Sequence, residues 1–170
     1  MPKPKLPKGR GRGYALGMNR LERVREVVDR ILLEVQDAEG KRCGFVHLYG
    51  VSQSAAFLAL QRGLNSELAA IAGMLHDIAT YESGNPANHG PRSAERAVGI
   101  LQELDAFSPE EIAEVQNAVA RHSDKSGRHH PFAELLKDAD VLQHFLYNPS
   151  VDANPGHVDR RARLMDLYAR

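Results

Sequence analysis

Leu68-Ala69-Ala70-Ile71-Ala72-Gly73-Met74-Leu75, followed at once by His76-Asp77, is the stretch that decides the fold. A helix apolar all round is normally buried. The pair at its end is then drawn towards the interior too, where an unpartnered carboxylate is very costly. Something has to neutralise Asp77. A divalent cation fits best, because further ligand-type residues recur before and after the pair, at His47, His89, His122 and Asp140. The dipeptide alone says little, since chance supplies it about once in every two chains of this composition. The set of residues carries the reading.

Outward from this stretch the chain reads as helix after helix. Asn19 and Glu22 form an N-cap and N3 pair, and Leu21, Val24, Val27, Val28, Ile31, Leu32 and Val35 keep helical spacing, which predicts a first helix running until Ala38-Glu39-Gly40. A second is expected from about Phe45 to Gln61, closed by Arg62-Gly63, with Asn65-Ser66 opening the central apolar helix. Gly84 to Pro91 is a loop, after which Ala94, Ala97, Val98, Leu101 and Leu104 make an amphipathic stripe. Ser108-Pro109-Glu110-Glu111 supplies an N-cap, a proline at the first helical position and the reciprocal glutamate. Residues 123–130 and 148–156 read as loops, 131–147 and 157–169 as helices. No persistent alternation suggests a strand, so an all-α bundle of about six to seven helices is expected.

A chain of 170 residues suits a single domain with its own core. Residues 14–170 are assigned to that domain. Residues 1–13 are assigned to a disordered basic arm carrying Lys3, Lys5, Lys8, Arg10 and Arg12 without apolar periodicity. The arm could touch nucleic-acid phosphates, but a solvated tail is the simpler reading. Lys plus Arg (22) cancels Asp plus Glu (22), so no whole-protein field draws the chain to nucleic acid or anionic membrane. The start lacks the apolar stretch of a signal peptide, and the run through Leu75 is far shorter than the ~20 residues a membrane span requires. The single Cys43 cannot form an internal disulfide, in keeping with a cytoplasmic protein.

His47 lies in line with Val51, Ala55 and Leu58, which aims its imidazole at the core, as ligand or as satisfied core histidine. Asp140 falls in the apolar-rich stretch Leu135-Leu136-Lys137-Asp138-Ala139-Asp140-Val141-Leu142. Two imidazoles and two carboxylates make a mixed nitrogen and oxygen site suited to Mn, Fe, Ni, Co or Zn. Four protein ligands would leave positions open for water and substrate, as catalysis requires.

In this order, a histidine (His47), the pair in Leu75-His76-Asp77-Ile78, and the aspartate of Asp138-Ala139-Asp140-Val141-Leu142, the chain resembles the HD domain superfamily of metal-dependent phosphohydrolases. The resemblance spans roughly Arg42 to His144 and implies an all-helical phosphohydrolase with His47, His76, Asp77 and Asp140 as metal ligands. Asp138 competes with Asp140, which is preferred because it directly follows the alanine. Some branches of the family hold a second metal with histidines between the pair and the distal aspartate, which makes His89 and His122 candidates and His130 a third; each has a bland alternative at a helix end or in a loop. His144, four after Asp140, could orient it. Many members with the richer histidine set carry a lysine shortly after the pair, whereas here the chain continues Ile78-Ala79-Thr80-Tyr81. A phosphate-gripping cation must come from elsewhere, with Arg92, Arg121, Lys125 and Arg128 as candidates.

The implied chemistry is hydrolysis of a phosphate ester or anhydride of a nucleotide or small phosphorylated metabolite. Asp77 would bind metal and orient the attacking water; His122 would bind a second ion or donate a proton. Two other functions remain open: an HD-type di-iron oxygenase, and a non-catalytic metal- or nucleotide-binding regulator. The expected partner is a small phosphorylated molecule, and a homodimer is compatible with the sequence.

Overall fold

The computed structural model describes residues 19–150 and 155–168. The arm expected over residues 1–13 lies outside them. Among the described residues there are eight α-helices, α1 (Arg20–Glu34), α2 (Ala38–Arg62), α3 (Ser66–Leu75), α4 (Ile78–Ser83), α5 (His89–Leu104), α6 (Pro109–Arg121), α7 (Pro131–Tyr147) and α8 (Val158–Tyr168), with one 3-10 turn at Pro155–His157 and no strand. The all-α architecture expected from the periodicity is the one found. Seven helices correspond to expected segments; the eighth is the short α4 directly behind the His-Asp pair.

The central helix α3 is the hub. All eight residues Leu68–Leu75 are buried, and α3 touches α1, α2, α5, α6 and α7. Its closest neighbour is α2, and Gly73 is the reason the two backbones can approach. A Cβ built at Gly73 would lie 2.6 Å from the Ser52 Cα and 2.7 Å from the Ser52 nitrogen. Only a residue without a side chain fits there. This contact sets α2 beside the C-terminal end of α3 and so brings His47 towards His76.

Helix boundaries differ from the expectation in two places: α5 begins at His89, inside the loop expected over Gly84 to Pro91, and the passage from α1 to α2 comes early. The first helix ends at Glu34, with Val35 extended (φ −61°, ψ 121°). Asp37 then caps α2 by accepting from the Gly40 N–H at 2.5 Å. Ala38-Glu39-Gly40 is therefore the first turn of α2, not the end of α1, and α2 begins well before Phe45. A side-chain cap from Asp37 competes with continuation of α1, because it satisfies donors that a new helix start leaves free.

At 25 residues, α2 is long and apolar enough, by length and composition, to cross a membrane. In this fold it packs against α3 and α7, burying Leu48, Val51, Ala55, Leu58 and Ala59 completely. On the far side, the expected capping box of α6 forms. The Ser108 Oγ accepts from the Glu111 N–H, and the Glu111 carboxylate accepts from the Ser108 N–H.

Candidate metal centre

The pair sits where α3 stops. His76 is the C-cap of α3 and Asp77 separates α3 from α4. Carbonyls in the last turn of a helix lack an intrahelical partner, and His76 uses one of them: its Nδ1–H donates to the Gly73 carbonyl at 2.8 Å. His122 repeats the device at the C-cap of α6, with Nδ1–H donating to the Val119 carbonyl at 2.7 Å. His89, the first residue of α5, donates from Nδ1 to the Pro86 carbonyl at 3.0 Å. In each case the partner lies three residues back, and in each case the Nε2 lone pair is left pointing away from it. His47 is in the middle of α2, where carbonyls are already used by the helix. Its Nδ1 instead meets the Gln143 Oε1 of α7 at 2.8 Å.

All four Nε2 atoms converge on Asp77. Its Oδ2 lies 3.6 Å from His47 Nε2 and 3.5 Å from His76 Nε2, while its Oδ1 lies 3.2 Å from His122 Nε2 and 3.6 Å from His89 Nε2. Asp140 Oδ1 closes the first side, at 3.6 Å from His47 Nε2 and 3.9 Å from His76 Nε2. Two groups follow, His47 with His76 and Asp140, and His76 with Asp77 and His122, each with ligand atoms within 4.8 Å of one another. His76 is fully buried, His122 nearly so, and Asp140 is 6% exposed.

The donor set fits a divalent cation on three observations. First, Asp77 Oδ1 and Asp140 Oδ1 are buried with no hydrogen-bond partner among the described residues, a costly condition for a carboxylate. Second, His47 Nε2 and His76 Nε2 are 3.0 Å apart. With both Nδ1 atoms bonded to oxygen acceptors, something positive must lie between the two nitrogens. Third, ligand atoms about 2.1 Å from a common ion and at right angles to each other are about 3.0 Å apart, so the spacing of the imidazole pair is that of adjacent ligands.

Electrostatics agree. Burial pushes His76 down to about 3, so it stays a neutral donor of its lone pair. At His47 burial acts in the same direction, but the carboxylates of Asp77 and Asp140 outweigh it and hold the imidazole above its usual value. Burial would raise Asp77, yet the imidazole cluster around it holds it far below the usual carboxylate range, and with His76 neutral the positive charge that does so falls to His47, the imidazole held above its usual value. Asp140 is likewise well below that range, against burial, chiefly through Lys125 and His144.

The remaining sequence candidates fall into three groups. Lys125 reaches the cluster, with Nζ 2.5 Å from Asp140 Oδ2 and 2.7 Å from the His122 carbonyl. His144 stands 3.4 Å from Asp140 Oδ1 but is exposed. Arg92 spends its guanidinium on the loop before α5, bonding the Asn85 and Ala87 carbonyls and the Ser83 hydroxyl at 2.7–3.1 Å. Arg121 and Arg128 are exposed, and His130 is the exposed N-cap position of α7. Asp138 is turned the other way, between Arg62 and Arg160 at 2.6 Å from each. Sequence reasoning missed Gln143. The available signal was a polar residue one turn after Asp140, directly behind the apolar Val141-Leu142.

The arrangement defines an all-helical protein with a buried imidazole and carboxylate cluster able to hold a metal ion. The HD domain model matches residues 44–144, more than half of the chain and the whole of the cluster, and the chain belongs to the HD domain family. Among solved structures it is similar to a predicted HD superfamily hydrolase from an uncultured Thermotogales bacterium, with a TM-score of 0.57 and 23% identity over 85% of this chain and 89% of that one. That likeness establishes the fold. Comparison with curated proteins returns no match.

Proposed function

We propose that the protein is a metal-dependent phosphohydrolase acting on a phosphate ester or anhydride of a nucleotide or small phosphorylated metabolite. The observation that carries the reading is Asp77, whose two oxygens face two different imidazole pairs inside one buried cluster. His47, His76, Asp77 Oδ2 and Asp140 Oδ1 would hold one ion; Asp77 Oδ1, His89 and His122 would hold a second. Mn, Fe, Ni, Co and Zn all suit this donor set. When bound, such a cation supplies Lewis acidity, both to water as nucleophile and to the phosphoryl group under attack.

The chain's own residues do the rest. His76, His89 and His122 are held by backbone carbonyls, so their Nε2 atoms are aimed before any ligand arrives, which lowers the reorganisation cost of binding. Asp77 keeps its negative charge across the physiological range, as an acceptor that can orient a water. Lys125 holds Asp140 Oδ2 and sets an ammonium beside the cluster, where a phosphoryl oxygen would need a cation. Next to it opens a cleft lined by Lys125, Arg128, His157 and Arg163 and also by Asp124, Glu134, Asp138 and Asp159, with none of the proposed metal ligands in its wall; Lys125 is the residue that joins the two. With Cys43 its only cysteine, the protein is compatible with a reducing cytoplasm.

The test is chelation followed by reloading with each of the five metals singly, with phosphate release measured across nucleotides and small phosphate monoesters. Release should vanish on stripping and return with at least one ion. Phosphate release that survives complete removal of metal would refute the proposal. A di-iron oxygenase would draw on the same Asp77; oxygen uptake by the iron-loaded protein, without phosphate release, would select it instead.

A further inference from the structure

Three of the four inward-facing imidazoles are oriented by their own local backbone, each by a carbonyl three residues back. His47 is the exception. Its orienting partner, Gln143, is 96 residues away in sequence and belongs to α7, the helix that also carries Asp140. The amide is itself buried, with Gln143 only 7% exposed. It reaches His47 through a gap in α2. A Cβ built at Gly50 would lie 2.7 Å from the Gln143 Cγ and 3.2 Å from its Nε2, closer than a real side chain tolerates. Gly50 is one turn after His47 on α2, so the space it leaves and the imidazole it serves lie on the same face.

We propose that Gln143 is a positioning residue for the metal centre, that it sets the ring orientation of His47 by accepting from Nδ1–H, and that Gly50 is the gap that lets it do so. The proposal rests on the metal-centre reading above. It makes the His47 and Asp140 side of the site depend on the register of α2 against α7, because one helix supplies both the carboxylate and the group that aims the opposing imidazole. The other imidazoles need no such register. An acceptor at this position also raises the basicity of the ligating Nε2.

This predicts a sign that simple packing does not. Gln143→Met keeps the length and most of the volume but removes the acceptor, whereas Gln143→Glu keeps an acceptor and adds charge. If Gln143 only fills space, the methionine variant should be harmless and the buried carboxylate harmful. If it orients His47, the order reverses.

The experiment titrates Co(II) or Zn(II) into metal-stripped full-length protein by calorimetry and, for Co(II), by the visible ligand-field spectrum. Gln143→Met should weaken metal binding about 10–100-fold, the range for lost partners of metal-ligating histidines, and change the Co(II) spectrum. Gln143→Glu should bind at least as tightly as the wild type. Gly50→Ala, which displaces Gln143 without altering it, should weaken binding in the same direction. Combined with Gln143→Met it should add no further loss, because the two act through one contact. Helical content and urea midpoints are recorded for every variant, and Gly50→Ala perturbs the contact from the other helix if the methionine variant folds poorly. Wild-type affinity in Gln143→Met, or a loss in Gln143→Glu as large as that in Gln143→Met, overturns the proposal. A wild-type protein that binds no divalent metal overturns the proposed function as well, so the two failures are told apart by the wild-type titration.

Discussion

Asp77→Asn is the most informative single change, because it removes charge from the centre of the cluster while keeping shape. Among the described residues, Asp77 is the only side chain that faces all four Nε2 atoms, at 3.2–3.6 Å. Without metal the change should be mild. The new amide N–H can donate to the His122 Nε2 in place of the buried oxygen that now lacks a partner, and unfolding free energy should stay within about 1 kcal/mol of the wild type. With metal the two proteins should separate. A ligand that binds only the folded state at a hundred times its Kd stabilises by about 2.7 kcal/mol. For a domain of this size each kcal/mol is worth roughly 2–4 °C in Tm, so the wild type should gain roughly 5–11 °C on loading. Asp77→Asn should gain almost none of it. Turnover should fall at least about 10²–10³-fold, since charge stabilisation by a metal ion is worth several kcal/mol and every 1.36 kcal/mol is tenfold. Differential scanning calorimetry of metal-free and metal-loaded protein, with phosphate release measured in parallel, is the assay. A loaded variant with the full wild-type Tm gain would refute the placing of Asp77 at the centre of the site.

Gly73→Ala should destabilise by about 1–3 kcal/mol in urea titrations, as overpacking does, because its Cβ would meet the Ser52 backbone at 2.6 Å; metal binding should weaken with it as His47 is pushed from His76. Asp138→Asn should cost about 2–3 kcal/mol, between exposed and buried ion-pair values, by depriving Arg62 and Arg160 of their shared carboxylate. Elemental analysis should find its metal content unchanged, whereas Asp140→Asn should lose metal. Glu134 lies below its usual value, against burial, because Lys137 and Arg160 stabilise its charge. Its contribution is complete above the unfolded value of about 4.3 and is lost as pH falls through the lower folded value. Urea midpoints between about pH 5 and pH 3 should therefore fall less steeply in Glu134→Gln than in the wild type.

The central helix and the fold class were legible because an eight-residue run without a polar face admits few placements. The His-Asp pair was legible with it, as the polar end of a buried element. Asp140 is preferred over Asp138 on the resemblance, because it directly follows the alanine; the helix period explains the outcome, since residues two apart diverge by about 200° and one enters the cluster while the other turns to Arg62 and Arg160. Boundaries were harder. Val35 continues the apolar stripe of α1, and only the Asp37 side chain, by capping Gly40, decides that a new helix has begun. Arg92 illustrates a different limit. Its charge is visible in sequence, but its commitment to the Asn85 and Ala87 carbonyls belongs to a loop conformation that no periodicity encodes.

The way the histidines are held explains why His76 and His122 work from helix ends. A mid-helix imidazole finds no free carbonyl in its own helix, whereas one at or just beyond the last turn meets several. His76 and His122 use that surplus to lock their tautomers at no cost to the helix, and both are thereby aimed into the space between α3 and α6. His47 lacks this option, and its α7 partner brings Asp140 with it. One side of the cluster is therefore assembled by secondary structure, the other by the packing of α2 on α7. Mild denaturant should act on them unequally: loosening the α2 and α7 contact should release metal held by His47 and Asp140 while the Nδ1 bonds of His76 and His122 persist.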